Sequence, residues 1–414
     1  AGVAMALCPG QALAAGFQNM SQSATANGMG SVGVANVDEP NASFYNPAIM
    51  SFQKGFNIYV GNSNLIPATS FTNTDGETTE TLASFFPPPN LHVAVPITEN
   101  LYIGGGVTFP YGLGISWPED WEGRNQIVSQ NLQTINFNPN VSYKIPGLDL
   151  SVAVGGQFYT STVELSQTFV LRDDTDVPAD VGLSGTGFGY TAGVFWRPAD
   201  FIDVGVGFRS GTTIDYSGRV DFQVEEGTAN PLEGTFVDQE VTAELNIPNA
   251  LTAGVGYTLD RFFLEFDTVY TLWSAYERLD LEFSEPCEEG SSTCDPEEDP
   301  SDPPTTTILN NWDNSFAFRL GLQYALTEAL KLRAGAVFDL TPIPNQTLAP
   351  SLPGNDRAAF SLGAGYTIKG IRLDGSYQFI NALERQITAD NFGSLRGTYK
   401  TTAHVIGFNV GYGY

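Results

Sequence analysis

Positive charge is scarce in this chain. Its 414 residues carry 18 Lys and Arg against 46 Asp and Glu, a formal net charge of −28. Nucleic-acid binding rests on basic side chains that neutralise phosphates, so this balance excludes it. Histidine is nearly absent too, with only His92 and His404. Neither has a Ser or Asp partner at a readable spacing, which argues against a histidine-based enzyme. Cysteine numbers three. Cys8 falls in an N-terminal leader, while Cys287 and Cys294 lie close together in a polar acidic segment. In an exported protein such a pair reads as one small disulfide, and two Cys without a nearby His make a poor zinc site. No metal or cofactor is therefore expected. Long apolar runs are also missing. No stretch beyond the leader approaches the roughly 20 apolar residues that a membrane helix requires.

What is present is glycine (44 residues), phenylalanine (28) and tyrosine (17), which suits an all-β protein with aromatic belts. A soluble sandwich shares that composition, so the pattern must decide. In the last segment Ile406, Phe408, Val410, Tyr412 and Tyr414 fall on one face, and Gly407, Asn409, Gly411 and Gly413 on the other. Such period-two alternation marks a strand with two different faces. It recurs at Phe316, Phe318, Leu320, Leu322 and Tyr324, at Phe360 to Ile368 and at Ile371 to Phe379. A charge such as Arg319 or Arg372 within these strands is costly against lipid and tolerable in a lumen, which assigns the polar phase to the inside.

About fourteen strands follow from Phe56 onward, an even number as bacterial barrels have. Short connections (Thr98–Asn100, Lys144–Asp149, Arg197–Asp200, Leu259–Arg261, Leu326–Ala329, Lys369–Gly370) alternate with long ones. The long ones are read as Gly61–Asn90, Tyr111–Leu132, Leu171–Ser184, Gln223–Gly234, Ser284–Asn311, Thr341–Asp356 and Asn381–Lys400. Short periplasmic turns opposite long extracellular loops are the topology of a transmembrane antiparallel β-barrel, and a sandwich has no reason to alternate so. The acidic run Asp295–Asp302 then lies in an extracellular loop, as a solvated surface or as oxygen ligands for calcium.

Residues 1–14 are small and apolar and end Ala12-Leu13-Ala14, like the end of a secretory signal with an A-x-A site. They are read as a signal-peptide remnant, with the mature chain starting at Ala15. Leu7 before Cys8 argues against a lipoprotein-type signal. Residues 15–53 fit no strand pattern. Gly28, Gly30 and Gly33 lack the following Lys and preceding strand of a phosphate loop, so the segment reads as a plug inside the lumen. Residues 54–414 form the barrel.

Two segments of the barrel suggest function. In Ile103–Gly112 the run of Gly104, Gly105 and Gly106 leads to Phe109-Pro110-Tyr111-Gly112. Proline cannot donate to a ladder. Pro110 therefore either interrupts the wall, leaving a lateral gap, or merely ends the strand at the membrane edge. Trp117 and Trp121 follow with Ile127, Val128 and Leu132 among polar residues. If helical, the two indoles share one face. An exposed apolar face there suits capture of a greasy substrate, and loop packing or lipid-headgroup contact is the alternative.

The chain resembles the FadL family of outer-membrane hydrocarbon transporters. The resemblance is carried by Ala15-Gly16-Phe17-Gln18, Asn46-Pro47-Ala48, Thr268–Ser274 with Trp273, Phe338–Gln346 with Pro342 and Pro344, and Asp356-Arg357, in consistent order. It implies a monomeric barrel of about fourteen strands with an N-terminal hatch, and passive uptake of hydrophobic compounds, long-chain fatty acids first. Capture at extracellular loops, an internal pocket and lateral release near the third strand are likewise implied. Phe17 would reach the pocket, and Asn46, Pro47 and Ala48 would couple hatch to wall. The implied partners are a hydrophobic small molecule and outer-membrane lipid. One departure stands out: where fatty-acid members carry a basic residue, this chain has Asn310-Asn311-Trp312-Asp313. Arg319 is the alternative carboxylate partner; Arg333 and Arg372 share its lumen phase, and these arginines can equally pair with Asp339 or Asp374 inside the barrel. Uptake of neutral hydrocarbons, and after it a general porin, are the competing functions.

Overall fold

Alternation along the chain builds a wall with two faces. The computed structural model describes residues 16–170, 176–223, 237–284, 305–388 and 395–413. Fourteen antiparallel strands close on themselves. They are β1 (Asn57–Asn73), β2 (Pro89–Pro96), β3 (Leu101–Ser116), β4 (Ser129–Lys144), β5 (Leu150–Val170) and β6 (Asp176–Ala199). Four interrupted strands follow: β7 (Ile202–Arg209, Thr212–Phe222), β8 (Gln239–Ile247, Ala250–Leu259), β9 (Phe262–Thr271, Arg278–Phe283) and β10 (Thr305–Leu309, Ser315–Ala325). The rest are β11 (Leu330–Asp339), β12 (Arg357–Ile368), β13 (Ile371–Ala382) and β14 (Gly397–Gly413). Each strand pairs with its sequence neighbours, and β14 closes the ring on β1 from Asn57↔Gly413 to Asn73↔Gly397.

In β10 Phe316, Phe318, Leu320 and Leu322 are exposed to the membrane while Ser315, Ala317, Arg319 and Gln323 are buried. This is the arrangement of a barrel, whose outer face meets lipid instead of a second sheet.

The extracellular loops are shorter than the sequence suggests. Asp176–Ser184, expected in a loop, belongs to β6, and β1, β3 and β14 extend into segments also read as loop. There the outward side chains include Asn62, Asn64, Ser70 and Thr72 of β1, Asp176, Asp180 and Ser184 of β6, and Thr398 and Lys400 of β14, so the hydrophobic alternation fades although the ladder continues. Cys8, the leader through Ala15, Cys287, Cys294, Asp295–Asp302 and Tyr414 lie outside the described residues.

Residues 16–53 are largely buried and bond to inward-facing side chains of strands on several sides of the ring. Two short helices, α1 (Ala24–Gly28) and α2 (Ala42–Tyr45), precede a 3-10 turn at Pro47–Phe52. Ser23 caps α1 by accepting from the Ala26 amide. The Asp267 carboxylate of β9 accepts from the Gly33 amide (3.0 Å), and Glu265 from the Ala35 amide (2.7 Å). Asn409 of β14 accepts from the Ala24 amide (2.9 Å). Arg372 of β13 donates to Thr25 Oγ1 (2.7 Å) and the Asp38 carbonyl (2.8 Å), and Lys331 of β11 pairs with the Asp38 carboxylate. Buried backbone amides need partners, and here inward carboxylates and amides of the wall supply them.

Candidate functional site

The wall is broken at β3. Its ladder with β2 ends at Leu91↔Val107. Had the register continued, Pro89, Pro88 and Pro87 would face Phe109, Pro110 and Tyr111. Three consecutive prolines have no N–H to give, and Pro110 has none either. On the opposite side, the register with β4 slips between Thr108 and Tyr111, a bulge that lifts Phe109 and Pro110 out of the ladder. Proline chemistry on one side and a bulge on the other leave this stretch without wall partners. Pro110 therefore interrupts pairing inside the strand, which continues to Ser116.

The chain's own N-terminal strap, Gly16–Gln22, fills the break. Gln18 bridges antiparallel to Tyr111. The Asn19 amide donates to the Pro110 carbonyl (2.7 Å), and the Gly112 amide donates to the Phe17 carbonyl (3.0 Å). The Gln22 side chain donates from Nε2 to the Phe109 carbonyl (2.8 Å) and accepts from the Phe109 amide (3.0 Å).

Phe17 is fully buried in an aromatic box. Its ring lies 5.0 Å from Trp273, 5.7 Å from Tyr111, 5.8 Å from Tyr276 and 6.2 Å from Trp312. Trp273 and Trp312 enter the lumen because β9 and β10 are interrupted at adjacent positions, 272–277 and 310–314. Gly16 holds a left-handed φ of +60°, and a methyl group there would run into both indoles. The Trp273 Nε1 and the Tyr111 hydroxyl are buried without a hydrogen-bond partner. Such orphans are uncommon in a protein interior and point to a space built for something else.

Two small cavities flank the strap. The larger, about 60 Å³, is lined by Gly16–Ser21, Gly112, Arg319 and the Asp339–Arg357 pair, and the smaller, about 20 Å³, by Met20, Phe44, Arg209 and Arg319 among others. Each holds at most a few waters. Arg319 donates from Nη1 to the Ser31 carbonyl (3.1 Å), leaves Nε unpaired, and makes no ion pair with a described residue. Arg333 and Arg372, by contrast, both pair with Asp374 (2.7 and 2.6 Å), and Arg357 pairs with Asp339 (2.7 Å).

Asn46 sits where the lumenal segment meets the wall. Its Nδ2 donates to the Val34 carbonyl (2.9 Å) and to the Val194 carbonyl of β6 (3.0 Å), while its Oδ1 accepts from the Ala48 amide. Pro47 opens the 3-10 turn, and the Ala48 carbonyl accepts from Ser142 and Ser151 on β4 and β5.

Trp117 and Trp121 follow the loop-packing alternative: they lie neither on an exposed face nor on a helix. Both are buried and stack at 4.3 Å, with Trp117 donating to the Pro350 carbonyl and Trp121 to the Ile127 carbonyl. Their apolar surface packs into the same cluster as Phe71, Tyr111 and Phe17, because an indole pair left in water would forfeit most of its burial energy. His92 has a spatial partner that spacing did not reveal, Ser43 Oγ at 2.9 Å from Nδ1, while its Nε2 is unpaired. His404 lies on the outer face beside Tyr377.

Sequence reasoning named Trp273 and Trp312 without giving either a place in a site, and missed Gln22 and the Pro87–Pro89 run. Only the last left a signal that could have been used: three prolines entering a strand cannot sustain a ladder.

A closed antiparallel ring with apolar residues outside and buried polar side chains inside defines an outer-membrane β-barrel. The family described as outer membrane protein transport protein (OMPP1/FadL/TodX) matches residues 5–414, and the chain belongs to it. It is 23% identical to the long-chain fatty acid transport protein of Escherichia coli K12, over 100% of this chain and 97% of that one. The structure of a Pseudomonas aeruginosa FadL homologue superposes with a TM-score of 0.83 at 20% identity, covering 96% of this chain and 99% of that one. The Ralstonia pickettii toluene transporter TbuX gives 0.71 at 15% identity, covering 95% and 98%. At these identities the two structures establish likeness of fold.

Proposed function

We propose that this barrel carries hydrophobic molecules, long-chain fatty acids foremost, passively across the outer membrane. Ligands enter from the loop side, occupy the aromatic box, and leave sideways through the break at Phe109–Gly112. The observation that carries this reading is Phe17 itself. An apolar side chain of the strap occupies an aromatic box beside a break in the wall, so a ligand takes the box as Phe17 vacates it. No energy source or covalent step is required: box and membrane are both apolar, and transfer between them is close to neutral while water is avoided. Arg319 supports a carboxylate-bearing ligand, because it lines the cavity next to the strap, leaves its buried Nε unpaired and makes no ion pair with a described residue. The fatty acid transport protein of E. coli is a relative of matching length.

A second reading, uptake of neutral hydrocarbons, is favoured by one specific feature. The side chain in the box is a single uncharged ring, so a monoaromatic compound fits the same space. Titration of the purified barrel with oleate and with toluene, followed by tryptophan emission, separates the two. Oleate binding weakened about tenfold by Arg319→Met, the loss of one charge-assisted contact, with toluene unaffected, supports the fatty-acid reading. Toluene binding with no response to oleate moves the assignment to hydrocarbons, and no response to either contradicts the pocket.

A further inference from the structure

We propose that Gln22 is the latch of the wall break: its carboxamide takes the ladder position on Phe109 that β2 cannot fill. The inference rests on the lateral-exit reading above and assigns its gate to one side chain. Antiparallel pairing requires each strand residue to find one donor and one acceptor on its neighbour. Continued register would put Pro89 opposite Phe109, and Pro89 has no N–H. Gln22 supplies both halves at once, Nε2 to the Phe109 carbonyl at 2.8 Å and Oε1 from the Phe109 amide at 3.0 Å. A primary carboxamide presents a donor and an acceptor side by side, as a peptide unit does, so one side chain stands in for a residue of strand.

The placement separates this latch from the rest of the strap. Asn19 and Phe17 pair with Pro110 and Gly112 through their backbones, and the Asn19 side chain adds one longer donation to the Phe109 carbonyl (3.4 Å) without reaching the Phe109 amide. Gln22 alone uses its side chain for both bonds, just ahead of Ser23, the cap of α1. Its Nε2 also reaches the Asn19 carbonyl at 3.0 Å, which orients the amide, and its backbone carbonyl accepts from Asn41 Nδ2 at 2.8 Å. The strap is therefore hinged on the lumenal segment at one end of Gln22 and clipped to the wall by the other. A rotamer change of Gln22 releases Phe109 first, and the backbone bonds of Phe17 and Asn19 to Gly112 and Pro110 then part to complete the opening.

The test is amide exchange of the full chain in lipid nanodiscs, read on the peptide containing Phe109, with oleate uptake by cells as a second readout. Gln22→Ala should accelerate exchange there by about tenfold, a local opening, and leave peptides of β4, β13 and the Asn46 region unchanged. Gln22→Glu is the sharper variant. A protonated carboxyl also pairs one donor with one acceptor, whereas a carboxylate only accepts and faces the Phe109 carbonyl. Its protection factor should therefore be low at about pH 8 and recover at about pH 4, on either side of the carboxyl range. Unchanged exchange in Gln22→Ala, acceleration spread over the whole lumenal segment, or a Gln22→Glu protein that ignores pH overturns the latch. Accelerated exchange with unaltered oleate uptake keeps the latch and contradicts lateral exit, so the two failures are distinguishable.

Discussion

At the scale of single residues, Asn46 carries more bonds than its size suggests. One carboxamide donates to two carbonyls, one in the lumenal segment and one in β6, and accepts from the Ala48 amide. Asn46→Ala leaves buried backbone groups unpaired, at about 1–3 kcal/mol each. The lumenal segment should then exchange its amides faster at 34–48 while the wall strands keep their protection. Asn46→Asp preserves the acceptor for Ala48 and loses both donations, so it should resemble Ala; behaviour like the wild type would refute the coupling. Phe17→Ala makes the opposite kind of prediction. It empties the box without breaking a hydrogen bond, so toluene should bind about ten- to a hundredfold tighter, since a buried phenyl is worth about 1.5–3 kcal/mol. Weaker binding would mean that Phe17 contacts the ligand instead of holding its place.

At the scale of elements, the lumenal segment is held by a carboxyl group in an unusual environment. Burial pushes Glu39 up to about 7, against the opposing pull of the Asn41 amide, the Ser23 hydroxyl and the charges of Arg372 and Arg333. One of its oxygens accepts from Ser23 (2.8 Å) and from the Asn41 amide (2.9 Å), so it ties together the starts of α1 and α2. The sign follows from proton binding. Between the ordinary carboxyl range and about pH 7 the folded segment holds a proton that the released one lacks. Stability is therefore greatest below that range and falls as pH rises through it, by about 3 kcal/mol in all. Protection of residues 23–45 should be higher at pH 5 than at pH 8, and Glu39→Gln should remove the difference; a difference that survives the substitution would assign it to another group. The element scale also shows what could be read in advance. Strands such as β10 and β14 were legible because lipid and lumen impose opposite chemistry on alternate residues. The tops of β1 and β6 were not, since there the outward face turns polar while Phe71, Val177, Ala179, Val181 and Leu183 point inward, so the lipid-facing pattern is lost. The box was illegible for a different reason: Trp273 and Trp312 stand in plain view, but only the aligned interruptions of β9 and β10 turn them inward. Pro110 was legible because its chemistry is local, and Gln22 was not, because it acts 87 residues away along the chain.

At the scale of the whole molecule, a filled lumen and an interrupted wall imply a channel for oil and not for ions. Cavities of about 60 and 20 Å³ beside the strap are pockets for a few waters, not an aqueous path. Planar bilayers containing the barrel should accordingly pass little steady current, and deletion of 16–53 should raise conductance to that of an open barrel; steady conductance in the intact protein would favour a porin. The outer face of the strands that border the break, with Leu91, Ile103, Phe137 and Val141 exposed, is apolar enough to receive a ligand emerging sideways without a water-filled step. The most direct measurement is uptake of labelled oleate by cells that lack their own hydrophobic channel and express this protein, with toluene alongside and an Asn46–Ala48 deletion as control. Oleate uptake well above the empty vector, and lost in the deletion, is the predicted result. A correctly assembled barrel that carries neither compound would contradict it.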